Sequence, residues 1–433
     1  QYGDSKFDHP FFDELNYDDF QSVILRNSGQ DWMRSSMKDI MVTSLMRGSG
    51  IDFQEHNSVA TYINGDYWGM YNMREKNNEH MLAAKHNIDA DDITILTKNA
   101  EIVEGDNTEY NELIGYISSV NLSVDANFKY VSDRIDLTNY ALYQATNVFI
   151  SNSDWPGNNI KFWNHPEGKW RWILYDTDFG FASFFDQQNY THDTLSFALD
   201  ANGPGWPNPA WSTLLFRKLV TNIGFRNQFI NRYADELNTR FLSSALNTHI
   251  DQVYQSIQPE VIDHYLRWRS DPTLTGIGVN IGDRFSEINQ WVGYYVDLMK
   301  TFANERPAIA KEHLKSNFNL PAYHPLTITN NDTSEGFVEV NQNLKIQESA
   351  WTGDYFESVP IQLTAIPEAG YEFSHWSGAS NATTATISMN LTTPLGITPN
   401  FSAVENEKLL VINEINYNSG PDFNADDWIE LHN

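Results

Sequence analysis

The sequence predicts a multidomain chain: an α+β region first, a mostly helical stretch next, and an all-β module last. Three observations carry that reading. Alternating apolar residues flank Asn64-Gly65 in the manner of a β-hairpin. Apolar residues recur at three- and four-residue spacing through most of 208–316. Short alternating runs, divided by Gly, Asn, Asp and Pro, fill 326–403. At 433 residues the chain is also too long for one ordinary domain.

Taken in order, Met37, Ile40, Met41 and Leu45 space as one face of a helix. Residues 58–63 and 67–73 are the hairpin strands. A helix over about 137–151 gives way to Ser151-Asn-Ser-Asp154-Trp-Pro-Gly-Asn-Asn159, where Pro156 and Gly157 enforce a loop. The apolar run Trp172-Ile173-Leu174 predicts a strand, with Gly180 permitting a sharp turn beyond its exit. Helices fill 208–316, as in Phe241–Tyr254. The runs starting at Phe337, Val359 and Thr384 are strands of the β module.

Composition sets limits on function. Apolar residues make up 41% of the chain, with 13 Trp, 21 Tyr and 25 Phe, enough to build real cores and to exclude a disordered chain. The 57 acidic residues outnumber the 28 basic ones, and a net charge of −29 repels nucleic acid. A polyphosphate would need a divalent cation and a few local Arg or Lys residues to bind here. The absence of cysteine excludes disulfides, thiolate zinc sites and cysteine nucleophiles. No apolar run is long enough to cross a bilayer, and the polar, aromatic opening is not a signal peptide, which fits a mature or excised fragment.

One cluster carries chemistry. Asp154 and Asn159 share a tight loop and can face one point. Asp176 and Asp178 stand at alternate positions where a strand ends, a good place to hold a hard cation through oxygen ligands such as Mg²⁺ or Mn²⁺. The spacing suits phosphoryl transfer, in which a catalytic-loop Asp accepts the hydroxyl proton and an Asn five positions on holds metal. Asp178-Phe179-Gly180 is a literal Asp-Phe-Gly triplet of the kind that holds metal against phosphates. The same residues are also ordinary turn formers, and Asp176 and Asp178 equally suit a structural Ca²⁺.

The surrounding text resembles the CotH family of atypical protein kinases, in four ordered blocks over about 155 residues. These are Leu25-Arg-Asn-Ser-Gly-Gln-Asp-Trp32 with Met37-Lys-Asp39, then Tyr62-Ile-Asn-Gly-Asp-Tyr-Trp-Gly-Met-Tyr-Asn-Met-Arg-Glu75, then the loop from Ser153 to Asn159, and last Trp172 to Phe181. The run ending Phe302-Ala-Asn-Glu-Arg-Pro307 looks like the same family's C-terminal portion. The resemblance implies a distant protein-kinase-like fold that transfers the ATP γ-phosphoryl to Ser or Thr of secreted or coat proteins. It implies Asp154 as catalytic base, Asn159 and Asp176 as metal ligands, and Asp178 as a further ligand or a supporting group. The triplet favours Asp178 as the principal acid, whereas the family's aromatic-Asp pair, here Tyr175-Asp176, favours Asp176. Arg26, Arg74, Lys76 and Lys98 are candidate phosphate contacts, each also a plausible surface ion-pair partner. Glu75 and Asp39 are candidates to position a phosphate-binding lysine. No glycine-rich phosphate loop precedes the first block, and the family's nucleotide-binding lysine is expected upstream of residue 1.

Two further resemblances concern setting. Pro367–Gly378 is similar to the signature of bacterial Ig-like surface repeats, with Tyr371 and Trp376 as core aromatics. Leu409–Asn433 looks like the opening strands of a lamin-tail-type domain cut short. The expected division is a kinase-like domain at 1–320 that lacks its N-terminal strands, an Ig-like repeat at 326–403, and the partial domain at 409–433. These modules imply an extracellular or cell-surface bacterial protein acting on a secreted or surface protein. Two alternatives stand beside the kinase: a non-catalytic, metal-stabilised matrix scaffold, and a glycan-associated protein using Trp155, Trp206 or Trp211.

Overall fold

Asn64 and Gly65 take φ angles of 53° and 91°, and the chain reverses there as the turn chemistry requires. The computed structural model describes residues 6–32, 34–182, 188–268, 288–404, 411–416 and 428–432. They divide into two units, Gln1–Pro321 and Ala322–Asn433.

The first unit opens with a short antiparallel pair, β1 (Phe7–Asp8) and β2 (Asp19–Phe20), followed by β3 (Val23–Arg26). Helix α1 (Lys38–Leu45) is buried at every position. Its N-terminus is capped from a distance: Asp31 accepts the main-chain N–H groups of Met37 at 3.0 Å and Lys38 at 3.1 Å, satisfying donors the helix cannot. Next come β4 (Asp52–Phe53), the hairpin β5 (His56–Ile63) and β6 (Asp66–Glu75), α2 (Glu79–His86), β7 (Thr94–Thr97) and β8 (Glu101–Glu104). Helices α3 (Thr108–Ser119), α4 (Asp125–Ser132) and α5 (Leu137–Phe149) lead to β9 (Lys161–Asn164) and β10 (Arg171–Leu174).

Two sheets result. One is the antiparallel β3-β6-β5, with Arg26 opposite Asn72 and Leu25 opposite Met73. The other has the order β4-β10-β9-β7-β8 and is antiparallel except where β10 meets β4. Helix α5 is buried from Asn139 to Phe149, packed between β10 and the helix α8 introduced next.

The helical stretch comprises α6 (Thr194–Leu199), α7 (Leu214–Leu219), α8 (Ile223–Leu237), α9 (Ser243–Trp268) and α10 (Ile288–Asn317). Helix α9 crosses both α1 and β6, where His264 Nδ1 accepts the Met70 N–H at 3.0 Å. Burial without a charge partner pushes the His264 ring down to about 4, so it sits neutral as that acceptor requires.

The second unit is a β-sandwich. Strands β11 (Tyr323–Thr329), β12 (Gly336–Val340), β13 (Leu344–Ile346), β14 (Ala350–Phe356), β15 (Ile361–Pro367), β16 (Tyr371–Gly378), β17 (Thr386–Met389) and β18 (Leu395–Ala403) form two four-stranded sheets, β14-β11-β18-β16 and β13-β12-β15-β17. The predicted order of α+β, helical and all-β regions therefore holds. Trp376 is fully buried and its indole N–H donates to Thr384 O at 3.1 Å. Tyr371 is only half-buried, because it opens β16 opposite Ala403, where the sheet ends. Strands β19 (Val411–Asn416) and β20 (Trp428–His432) pair antiparallel. The remainder of the segment expected to begin a lamin-tail-type domain lies outside the described residues.

Candidate functional site

The loop after α5 is set by what holds the end of that helix. Arg306 of α10 is fully buried, and its guanidinium donates to the carbonyls of Val148 and Phe149 at 2.7 and 2.8 Å. It also donates to Tyr190 and His192 carbonyls, both at 2.8 Å. A guanidinium's planar set of donors suits four acceptors spread over two segments. It satisfies the last carbonyls of α5 immediately before the loop begins.

Asp154 lies buried on that loop. Its Oδ2 accepts from Asn158 Nδ2 at 2.9 Å and from Asn159 Nδ2 at 2.8 Å. The Asn159 amide reaches further, to the main-chain carbonyl of Asp176 at 3.3 Å. Burial pushes the Asp154 carboxyl up and the Asp176 charge adds to this, while Asn158, Asn159 and the Trp206 indole oppose it. The loop thus brings Asp154 and Asn159 beside the exit of β10.

That exit carries the other two acids. Arg26 Nη2 pairs with Asp176 Oδ1. Asp178 Oδ2 accepts the Gln30 N–H at 2.9 Å, and Asp178 Oδ1 is buried with no hydrogen-bond partner among the described residues. Burial, with the charges of Asp176 and Asp39 added, raises Asp178 to about 7. Burial raises Asp176 as well, against the pull of Arg26. Gly29 makes the approach possible: at φ +58°, a Cβ there would stand 2.6 Å from Asp178 Oδ2. Ser151, Asn159, Asp176, Phe181 and Ala182 also take left-handed φ angles. Strained backbone concentrated in this way is a mark of functional sites.

Helix α1 grips this segment from below. Asp39 pairs with Arg74 and accepts from Thr177, between the two acids. Although burial opposes it, the Arg74 and Arg26 charges hold Asp39 well below the usual carboxylate range. Lys38, also buried, donates to Ala182 O at 2.6 Å.

The four candidate cations have different placements. Arg26 lies at the acids. Arg74 lies behind them, committed to Asp39 and to Thr43 Oγ1 at 3.2 Å. Lys76 lines a cavity of about 560 Å³ between the two sheets, shared with Arg26, Arg74, Lys161 and Tyr175. Lys98 is not brought there: its ammonium stands 4.0 Å from Glu101, at a separate aromatic cavity beside Trp155. Glu75 pairs with Lys85 at 2.7 Å, an ion pair at the end of the hairpin.

Lys161 escaped the sequence reading. It opens β9 two residues after Asn159, donates to Asn77 O at 3.3 Å and lies over the Tyr175 ring. Burial and the Lys76 charge depress it, with no carboxylate contributing to offset them. Such a lysine favours an anion. Its position beside the Asn-Asn pair was the available signal. Arg306 had a weaker one, its place in the run Phe302–Pro307 that looks like the family's C-terminal portion.

Among the described residues no three His, Asp or Glu side chains form one cation-holding group. The donors at hand are two carboxylates and an amide, all oxygen, and the unpartnered Asp178 Oδ1 is what a cation would satisfy. The residues fit a hard divalent ion.

A family model described as CotH kinase protein matches residues 3–310. A second, described as divergent InlB B-repeat domain, matches 326–405. A solved complex of HipA, HipB and operator DNA from the Shewanella oneidensis MR-1 toxin–antitoxin system aligns with 64% of this chain at 10% identity and a TM-score of 0.23. This chain spans 57% of that one. No curated protein matches the chain in sequence.

Proposed function

Since the chain belongs to the CotH kinase protein family, we propose that it is an ATP-dependent kinase that phosphorylates Ser or Thr hydroxyls of a secreted or surface protein. The observation that carries this reading is the Asn159 amide, which bonds both the Asp154 carboxylate and the Asp176 carbonyl and so joins the base loop to the acids of β10.

Asp154 accepts the proton of the acceptor hydroxyl as its oxygen bonds to the γ-phosphorus. The bond from that phosphorus to the bridging oxygen breaks, and ADP leaves with the electron pair. Lys161, Lys76 and Arg26 bind and orient the phosphates from the cavity between the sheets. Asn159, Asp176 and Asp178 would hold Mg²⁺ or Mn²⁺, which when bound neutralises phosphate charge. Asp39 and Lys38 fix the segment bearing the acids.

Residues 1–320 form the phosphotransfer domain on this reading, and 326–403 a surface module. The divergent InlB B-repeat supports an extracellular setting. No helix among the described residues is long and apolar enough to cross a membrane.

The test is transfer of label from γ-labelled ATP to a mixed protein substrate, with Mg²⁺ or Mn²⁺, by wild type, Asp154→Ala and Asp176→Ala. Cation-dependent transfer lost in both variants is expected. Absence of both transfer and nucleotide binding overturns the reading. Cation-dependent thermal stabilisation that ATP does not alter would instead support a metal-stabilised scaffold.

A further inference from the structure

From Ala201 to Phe216 the sequence carries no charge, in a chain whose net charge is −29. Within it, Pro204, Pro207 and Pro209 restrict the backbone, and the resulting loop is fastened to the loop of Asp154. The Gly157 N–H donates to Pro207 O at 2.6 Å. A Cβ on Gly157 would collide with Pro209 and stand 2.6 Å from Pro207 O, so the two loops touch at backbone level. Asn208 is fully buried and anchors the other side, donating to Phe197 O at 2.6 Å.

This rigid mounting presents one large side chain to solvent. Trp206 is 59% exposed, whereas Trp155 on the neighbouring loop is 1% exposed. Pro207, the next residue, accepts from Gly157 on the base loop, and the indole N–H lies within reach of the Asp154 carboxylate, so the ring stands at the edge of the base. A lone exposed apolar side chain needs no explanation in itself. An indole fixed at a buried base, on an uncharged stretch, can meet whatever brings a hydroxyl to that base.

We propose that Trp206 is an acceptor-specificity residue: its exposed ring packs against an apolar side chain flanking the acceptor Ser or Thr of the protein substrate. The inference rests on the kinase reading above. The uncharged stretch around the ring selects an apolar flank over an acidic one, because a carboxylate laid on the ring face would shed water with no partner in return and would meet the like charge of Asp154.

The experiment uses the full chain, Mg²⁺ and γ-labelled ATP with a degenerate peptide library, Ser or Thr fixed at the centre and each flanking position varied in turn. Wild type should prefer apolar residues over Asp and Glu at one flanking position by about tenfold in kcat/KM, the discrimination an apolar contact supplies. Trp206→Ala should erase that preference, chiefly through KM, while its affinity for MgATP stays that of wild type. Trp206→Phe, which keeps a ring and loses the N–H, should retain the preference. Transfer with no apolar selection, or selection that survives in Trp206→Ala, overturns the assignment and leaves the kinase reading standing. Cellohexaose or chitohexaose binding to wild type but not to Trp206→Ala would make the ring a sugar platform and equally overturn it. Absence of transfer to every peptide overturns the assignment, and absence of nucleotide binding as well overturns the kinase reading.

Discussion

Asp39 accepts two hydrogen bonds from Thr177, one from the main-chain N–H at 2.8 Å and one from the hydroxyl at 3.0 Å. Its second oxygen is paired with Arg74, and both side chains are nearly inaccessible. One buried carboxylate thus holds β6 and the segment bearing Asp176 and Asp178 to α1. Asp39→Ala leaves the buried Arg74 charge without its ion-pair partner, which typically costs about 3–5 kcal/mol. Urea denaturation should show that loss. A cost below about 1 kcal/mol would show the pair to be dispensable.

Asp178 should make the cation-free protein sensitive to pH. Its carboxyl is raised from 3.8 to about 7, so the folded chain holds that proton more tightly than the unfolded one. Its contribution to stability is complete at low pH and is lost as pH rises from about 4 through 7. Thermal melts without divalent cation should fall across that window. Asp178→Asn should flatten the fall, and Mg²⁺ at pH 8 should stabilise wild type but not the variant. An unflattened profile in Asp178→Asn would remove Asp178 as its source.

Arg306→Lys tests the clasp behind the base loop. A lysine keeps the charge but cannot spread donors over Val148, Phe149, Tyr190 and His192. Carbonyls left unsatisfied cost about 1–3 kcal/mol each, less than additively, and a total near 4 kcal/mol is expected. Amide hydrogen exchange across 147–154 should quicken in parallel. Unchanged exchange there would show that α5 holds the loop unaided.

Lys161→Ala should weaken nucleotide binding about tenfold, the loss of one charge-assisted contact of about 1.4 kcal/mol. Lys161→Arg should recover part of it. Titration with ATP and with adenosine separates the phosphate contribution, since adenosine affinity should not change. Equal weakening for both ligands would place Lys161 away from the phosphates.

Short-range order was readable from residue types alone. Asn64-Gly65 named its hairpin, and Trp172 to Leu174 named the strand that ends at the acids. Pro156-Gly157 named a loop carrying Asp154 and Asn159. Each depends on backbone preferences and periodicity within a few residues. The cations were less readable, because a lysine or arginine reveals nothing of its partner until distant segments meet. Arg74 looked like a ligand contact and is committed to Asp39, while Lys98 lies at another cavity.

The sequence by itself determined the order of α+β, helical and all-β regions, and the family whose motifs fill 25–181. Both are properties of local pattern. Only the tertiary structure decided which charges face each other. It set Arg26 against Asp176, left an Asp178 oxygen bare, and placed Lys161 beside Lys76. It also carried Trp206 from fifty residues downstream to the edge of Asp154. Burial and Coulomb interaction act through space over a few ångströms, and separations of 50 to 150 residues along the chain hide them until it folds.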